Sequence, residues 1–128
     1  MDAEHSIQIR VRYCETDAMG FLHHSHFINF FEQGRTELLR NQGGRYRDIE
    51  EGGLFLVVVR LSCNYHSPAR YDDLLTLVTR VDRVSAVKIE HSYRLFCGDR
   101  LLASATSTLA CVDRAGQVQR LPDSITAQ

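Results

Sequence analysis

The chain has 128 residues, 44% hydrophobic and 24% charged, and its fifteen Lys and Arg against sixteen Asp and Glu leave a formal charge of −1. That length and composition fit one soluble globular domain able to bury a core without disulfides or metal, and they exclude a disordered chain. The near-neutral balance gives no global pull toward nucleic acid or an anionic membrane, so neither is expected as a partner.

The opening M-D-A-E-H-S has neither a basic stretch nor an apolar one, so no signal peptide is expected. The most apolar run, Leu54 to Val59, is far too short to span a bilayer, and membrane insertion is not expected. Cys14, Cys63, Cys97 and Cys111 are widely spaced with no C-x-x-C pattern. Reduced thiols in the cytoplasm are the expected state, without a structural zinc site.

In chain order, Ile7, Ile9, Val11 and Tyr13 alternate with Gln8, Arg10 and Arg12, which predicts a half-buried strand over 7–13. The turn E-T-D-A-M-G follows, with Gly20 free to take a backbone conformation closed to other residues. Phe27, Phe30, Phe31, Gly34, Leu38 and Leu39 then fall on one helical stripe, with Ser25 or a residue one or two before it as its expected N-cap and Asn41-Gln42-Gly43-Gly44 as its stop. Residues 45–53 read as a short helical turn. Everything beyond reads as strand: Val57 to Tyr65, ended near Pro68; Leu75 to Val81, turned at Ser85-Ala86; Ile89 to Leu95, turned at Gly98-Asp99; and Leu101 to Cys111. The tail from Gly116 is expected to be loosely held.

A strand, one long helix and four long antiparallel strands make an α+β arrangement. A sheet curled round the helix would suit three Phe on its face. The whole chain, 1–128, is then a single domain.

The chemistry concentrates before and at the helix start. An Asp placed at a strand-to-helix turn reaches the space facing the helix N-terminus, where free N–H groups stabilise an oxyanion. A carboxylate beside such a helix end suits cleavage of an ester or thioester, as general base on water or as nucleophile. T-D-A-M-G is also good turn chemistry, so spacing alone leaves Asp17 open between catalytic acid and Asx-turn residue.

From Tyr13 to Arg35 the sequence resembles the 4-hydroxybenzoyl-CoA thioesterase family of hotdog-fold enzymes, which includes small bacterial acyl-CoA thioesterases. The matching residues are Tyr13, Glu15, Thr16-Asp17, Gly20, Phe21-Leu22, His23-His24, Phe27, Glu32 and Arg35. A second stretch, Tyr65 to Leu75, looks like the family's link between its second and third strands. The resemblance implies a hotdog: a five-stranded antiparallel sheet wrapped round one long helix, assembled into a homo-oligomer, dimer or tetramer. It implies an acyl-CoA or acyl-carrier thioester as substrate, with no cofactor beyond the CoA that the substrate carries. The family's acid falls on Asp17, and its carbonyl-polarising helix-start amide falls on the backbone N–H of His24. Tyr13, Gly20, His23 and Phe27 match the substrate side of the motif. Acyl pockets in the family lie between subunits, which places Val59 and Arg60, in the facing strand, at a partner's site. Two departures bear on the acyl group: a polar double His at 23–24, and Phe27 where Tyr is frequent.

Other readings of these residues compete. His23, His24 and His26 do not share a helix face as H-x-x-x-H would, so no metal is expected. Cys14 reads as a passive thiol, Glu32 and Arg35 as a structural pair, and His91 as a satisfied core or interface histidine. His66 reads as a loop or edge residue. The imidazole of His24 could orient Asp17 or water, or only pack. No spacing picks a phosphate-binding cation among Arg60, Arg70, Arg80, Arg83 and Lys88. Two other functional classes fit a hotdog: a dehydratase or hydratase, against which H-H-S-H-F lacks a Phe-Pro-Gly turn, and a non-catalytic binder of acyl thioesters, against which Asp17 and Gly20 stand intact.

Overall fold

The structure, a computed structural model, describes residues 3–126. Strand β1 (Glu4–Arg10) leads through a short 3-10 turn (Tyr13–Glu15) to helix α1 (Ser25–Asn41) and helix α2 (Tyr46–Glu51). Strands β2 (Leu54–Tyr65), β3 (Leu74–Val84), β4 (Lys88–Cys97) and β5 (Arg100–Asp113) follow, and a final turn of helix, α3, covers Asp123–Thr126. The strands form one antiparallel sheet in the order β1-β3-β4-β5-β2, with β2 at one edge. Register shifts at Val58/Arg60, Val81/Arg83 and Leu95/Phe96 mark bulges, which bend strands and sharpen the twist that curls the sheet.

The concave face takes the period-2 set expected of it. Leu75, Leu77 and Thr79 of β3, Ile89, His91, Tyr93 and Leu95 of β4, and Ala103, Ala105, Ser107 and Leu109 of β5 are all buried. Against them lies the Phe27, Phe30, Phe31, Leu38 stripe of α1, every member at 3% exposure or less. Phe31 stacks on Tyr93 at 4.8 Å between ring centroids. Gly34 lets the helix approach β3: a Cβ there would stand 2.2 Å from Thr79 Oγ1 and 2.7 Å from Leu77 Cδ2.

Two expectations are corrected. The first strand stops at Arg10 rather than 13, because Glu15 folds back and accepts the Arg12 N–H at 2.7 Å, turning Tyr13–Glu15 into a 3-10 turn. Alternation alone carried no sign of that cap. The N-cap of α1 is His24, one residue before Ser25 and within the expected range, and the His23 Nδ1 accepts the Ser25 N–H at 3.2 Å. The tail is held through Thr126. Leu121 and Ile125 are buried over Leu39, Ile89 and Leu109, and the Leu121 N–H donates to Ala86 at 2.8 Å. Two apolar residues with a surface to cover outweigh a loop-like composition. Among the described residues no helix is long and apolar enough to cross a membrane.

Candidate active site

Asp17 sits in a tight loop that its own atoms organise. Its Oδ1 accepts the Met19 N–H at 2.9 Å and the Phe21 N–H at 3.1 Å. Its backbone closes the loop, with the Asp17 N–H donating to Phe21 at 2.8 Å and the Gly20 N–H donating back to Asp17 at 2.9 Å. Gly20 has φ +80°, the left-handed region that favours glycine. The turn reading of Asp17 is therefore observed. It uses one carboxylate oxygen: among the described residues no donor is bonded to Oδ2.

The next few residues spend their N–H groups with one exception. Leu22 donates to Ala69, His23 to Glu15, His26 to His23 and Phe27 to His24, while Ser25 donates to the His23 ring. Among the described residues no acceptor is bonded to the His24 N–H. One free donor thus remains at the start of α1, where the helix also presents partial positive charge.

The two residues that carry these groups line the same cleft. Asp17, Leu22, His24 and Phe27 line an open cleft of about 370 Å³, completed by Tyr65, His66, Ser67 and Pro68. The second stretch is brought here by the bridge between Phe21 and Arg70, by the Leu22 to Ala69 bond, and by Arg70 lying 4.7 Å over the Phe21 ring. Tyr65 packs edge-on against Phe27 at 4.9 Å, and its hydroxyl donates to the His24 carbonyl at 3.4 Å. Burial first, then the neighbouring Cys63, raise the Tyr65 pKa, so the hydroxyl stays a donor. His66 follows β2 and its Nε2 pairs with Ser104 Oγ at 2.9 Å.

Within one chain, Asp17, His24 and Phe27 come together and the other expected residues do not. Tyr13 is 77% exposed and meets Tyr71 edge-on at 5.6 Å, away from the cleft. Gly20 shapes the loop and lines nothing, and the His23 ring accepts the Ser25 N–H beside the cleft. Val59 and Arg60 lie exposed on β2, where Arg60 borders a separate groove with Asp82, Glu90 and Thr106. Tyr65 and His66 are cleft residues that spacing did not single out. Their signal was present in the Tyr65 to Leu75 stretch, but nothing local shows which face of an edge strand meets a helix start. Among the described residues no group of three or more His, Cys, Asp and Glu is placed to hold a metal ion.

With this geometry in hand, the model of the thioesterase superfamily matches residues 19–104. The acyl-CoA thioesterase YbgC of Haemophilus influenzae is 38% identical over 114 residues, covering 88% of this chain and 84% of that protein. The crystal structure of a probable thioesterase from Bartonella henselae aligns with a TM-score of 0.89 at 34% identity, over 94% of this chain and all of that one (100%). A DHNA-CoA thioesterase from Staphylococcus aureus aligns with a TM-score of 0.90 at 26% identity, over 97% of this chain and 84% of that one. Sheet, helix and matches agree, and the chain belongs to the thioesterase superfamily, with the hotdog arrangement of one long helix in a curled five-stranded sheet.

Proposed function

We propose that this protein hydrolyses acyl-CoA thioesters in the Asp17 cleft. The observation that carries the reading is that one cleft is lined by both Asp17, whose Oδ2 is unbonded, and His24, whose N–H is unbonded, among the described residues. The thioester carbonyl oxygen would accept from the His24 N–H, which stabilises the oxyanion as the tetrahedral adduct forms. As general base, Asp17 takes a proton from water while the water oxygen bonds to the carbonyl carbon. Collapse breaks the C–S bond, and the thiolate leaves with the proton that Asp17 took, which restores the carboxylate. As nucleophile, Asp17 would itself bond to that carbon, expel the thiolate as the C–S bond breaks, and form a mixed anhydride that water then opens at either carbonyl carbon. In a single turnover in labelled water, label found in Asp17 marks the nucleophilic route.

The acyl group would meet Phe27 and Tyr65, with the His23-His24 pair at the rim. CoA is supported as the thiol by the names of the relatives, and an acyl-carrier thioester presents the same bond. CoA belongs to the substrate, and no separate cofactor enters the scheme.

The edge strand supports a homo-oligomer. Val57, Val58 and Val59 are 40%, 48% and 54% exposed on an edge of twelve residues. Such an edge is a template for a second chain, which would carry Val59 and Arg60 toward a neighbour's cleft. Tyr13 would take its substrate-facing role in the same assembly, as a dimer or tetramer in the cytoplasm. A thiol-release assay across aliphatic and aromatic acyl-CoAs tests the reading. Hydrolysis of at least one class, well above the uncatalysed rate, is expected, and no turnover of any would overturn it.

A further inference from the structure

A second cavity, of about 40 Å³, lies at the opposite end of α1 from Asp17, between Leu38 and Leu39 of the helix, Val81 and Ile89 of the sheet, and Ile125 of α3. Its walls are apolar except where Arg35, Tyr46, Gln42 and His91 enter. Arg35 is 9% exposed, and its nearest counter-charge is Glu32 Oε2 at 3.7 Å, on a side chain 70% exposed to water. No acidic residue lines the cavity. His91 is 2% exposed and its Nδ1 has no hydrogen-bond partner, so the expectation of a satisfied histidine is corrected.

The electrostatics are one-sided. Burial first, then Arg35, lower the His91 pKa to about 3, so the imidazole is neutral, and its Nδ1 donates in the tautomer that carries the proton there. Burial raises the Tyr46 pKa to about 12, so its phenol keeps its proton. Arg35 remains charged. The cavity therefore carries one buried positive charge, an orphaned ring nitrogen and a phenol, against aliphatic walls. Buried charges are ordinarily paired, and buried polar atoms ordinarily bonded.

We propose that this cavity is a second ligand site, which takes a short aliphatic monocarboxylate with its oxygens on Arg35 and His91 Nδ1 and its tail against Leu38 and Ile89. One negative charge balances Arg35, and the planar carboxylate matches the guanidinium fork. Chloride would leave the aliphatic walls unfilled, and phosphate would bury excess charge. The inference rests on this cavity alone. The acids released by the proposed hydrolysis belong to the same chemical class, so a product could bind away from the cleft.

Thermal unfolding and titration calorimetry on the full chain, with sodium acetate against sodium chloride and phosphate at equal ionic strength, test the site. Acetate is expected to raise Tm saturably and the other two salts not to. Arg35→Met is expected to weaken acetate binding by about tenfold or more. His91→Leu, which is close to the imidazole in volume and removes its nitrogens, carries the same test should the Arg35 variant not fold. Asp17→Asn is expected to bind acetate as wild type does. Equal effects of all three salts, unchanged binding in His91→Leu, or loss of binding in Asp17→Asn would each overturn the proposal.

Discussion

The Tyr65 hydroxyl donates to the main-chain carbonyl of His24 at 3.4 Å, joining the end of β2 to the start of α1 across 41 positions of chain. The residue whose N–H is free for a substrate is thus held at its carbonyl. Tyr65→Phe keeps the edge contact with Phe27 and removes this bond. Stability is expected to change little, while kcat for acyl-CoA hydrolysis drops roughly 2- to 10-fold, as one neutral hydrogen bond allows. Steady-state kinetics beside a denaturation curve checks it. Wild-type kcat would mean that the helix start holds its position without Tyr65.

Gly34 and Thr79 mark where helix and sheet stand closest. In Gly34→Ala, about 1 kcal/mol of helix propensity is gained, but a methyl 2.2 Å from Thr79 Oγ1 forces side chains or backbone to move. Net destabilisation of about 1–3 kcal/mol is expected in urea unfolding. Thr79 Oγ1 is itself buried without a partner. Thr79→Val keeps the shape and removes the orphaned hydroxyl, so a stabilisation of about 1 kcal/mol is expected.

His91 makes the fold acid-sensitive. Its pKa lies near 3 in the folded chain, lowered by burial and then Arg35 from an ordinary 6.5. Above about pH 6.5 the ring is neutral in both states and contributes no slope. Below that, the unfolded chain binds a proton that the folded chain does not, and stability falls as pH drops toward 3. From about pH 6.5 to about pH 5 the loss is roughly 2 kcal/mol from this residue. Denaturation of wild type and His91→Phe across that window should show the slope flattening in the variant, and equal slopes would contradict the assignment.

The valines at the β2 edge predict an assembly. Val58→Asp places charge on the strand's exposed apolar run. It is expected to lower the particle mass seen by light scattering to that of one chain while circular dichroism stays unchanged. A wild-type protein already monodisperse at one chain's mass would contradict the proposed oligomer.

Most of the fold was legible because the patterns were long: four strands with a period of two, and a helix with three Phe on one stripe. Its boundaries depended on single residues. Glu15 ended β1 early by bonding the Arg12 N–H, and His24, one residue before Ser25, became the N-cap of α1. In the candidate site, Asp17 was legible as both turn residue and acid, and the structure shows how the two are compatible: Oδ1 holds the loop and Oδ2 is left over. Tyr65 was not legible as a cleft residue because contacts between residues far apart in the chain, Phe21 with Arg70 and Leu22 with Ala69, bring it there. The unpartnered Nδ1 of His91 was equally hidden, since alternation reports burial and not bonding.

Asp17→Asn tests the central claim most directly. The Asn carbonyl oxygen can still accept the Met19 and Phe21 N–H groups, so the loop should survive while the carboxylate is lost. Single-turnover and steady-state thiol release should be measured on the best acyl-CoA substrate, beside an unfolding curve. The account predicts a folded variant slower by about 10²- to 10⁴-fold. A folded Asp17→Asn protein that hydrolyses the substrate as fast as wild type would contradict it.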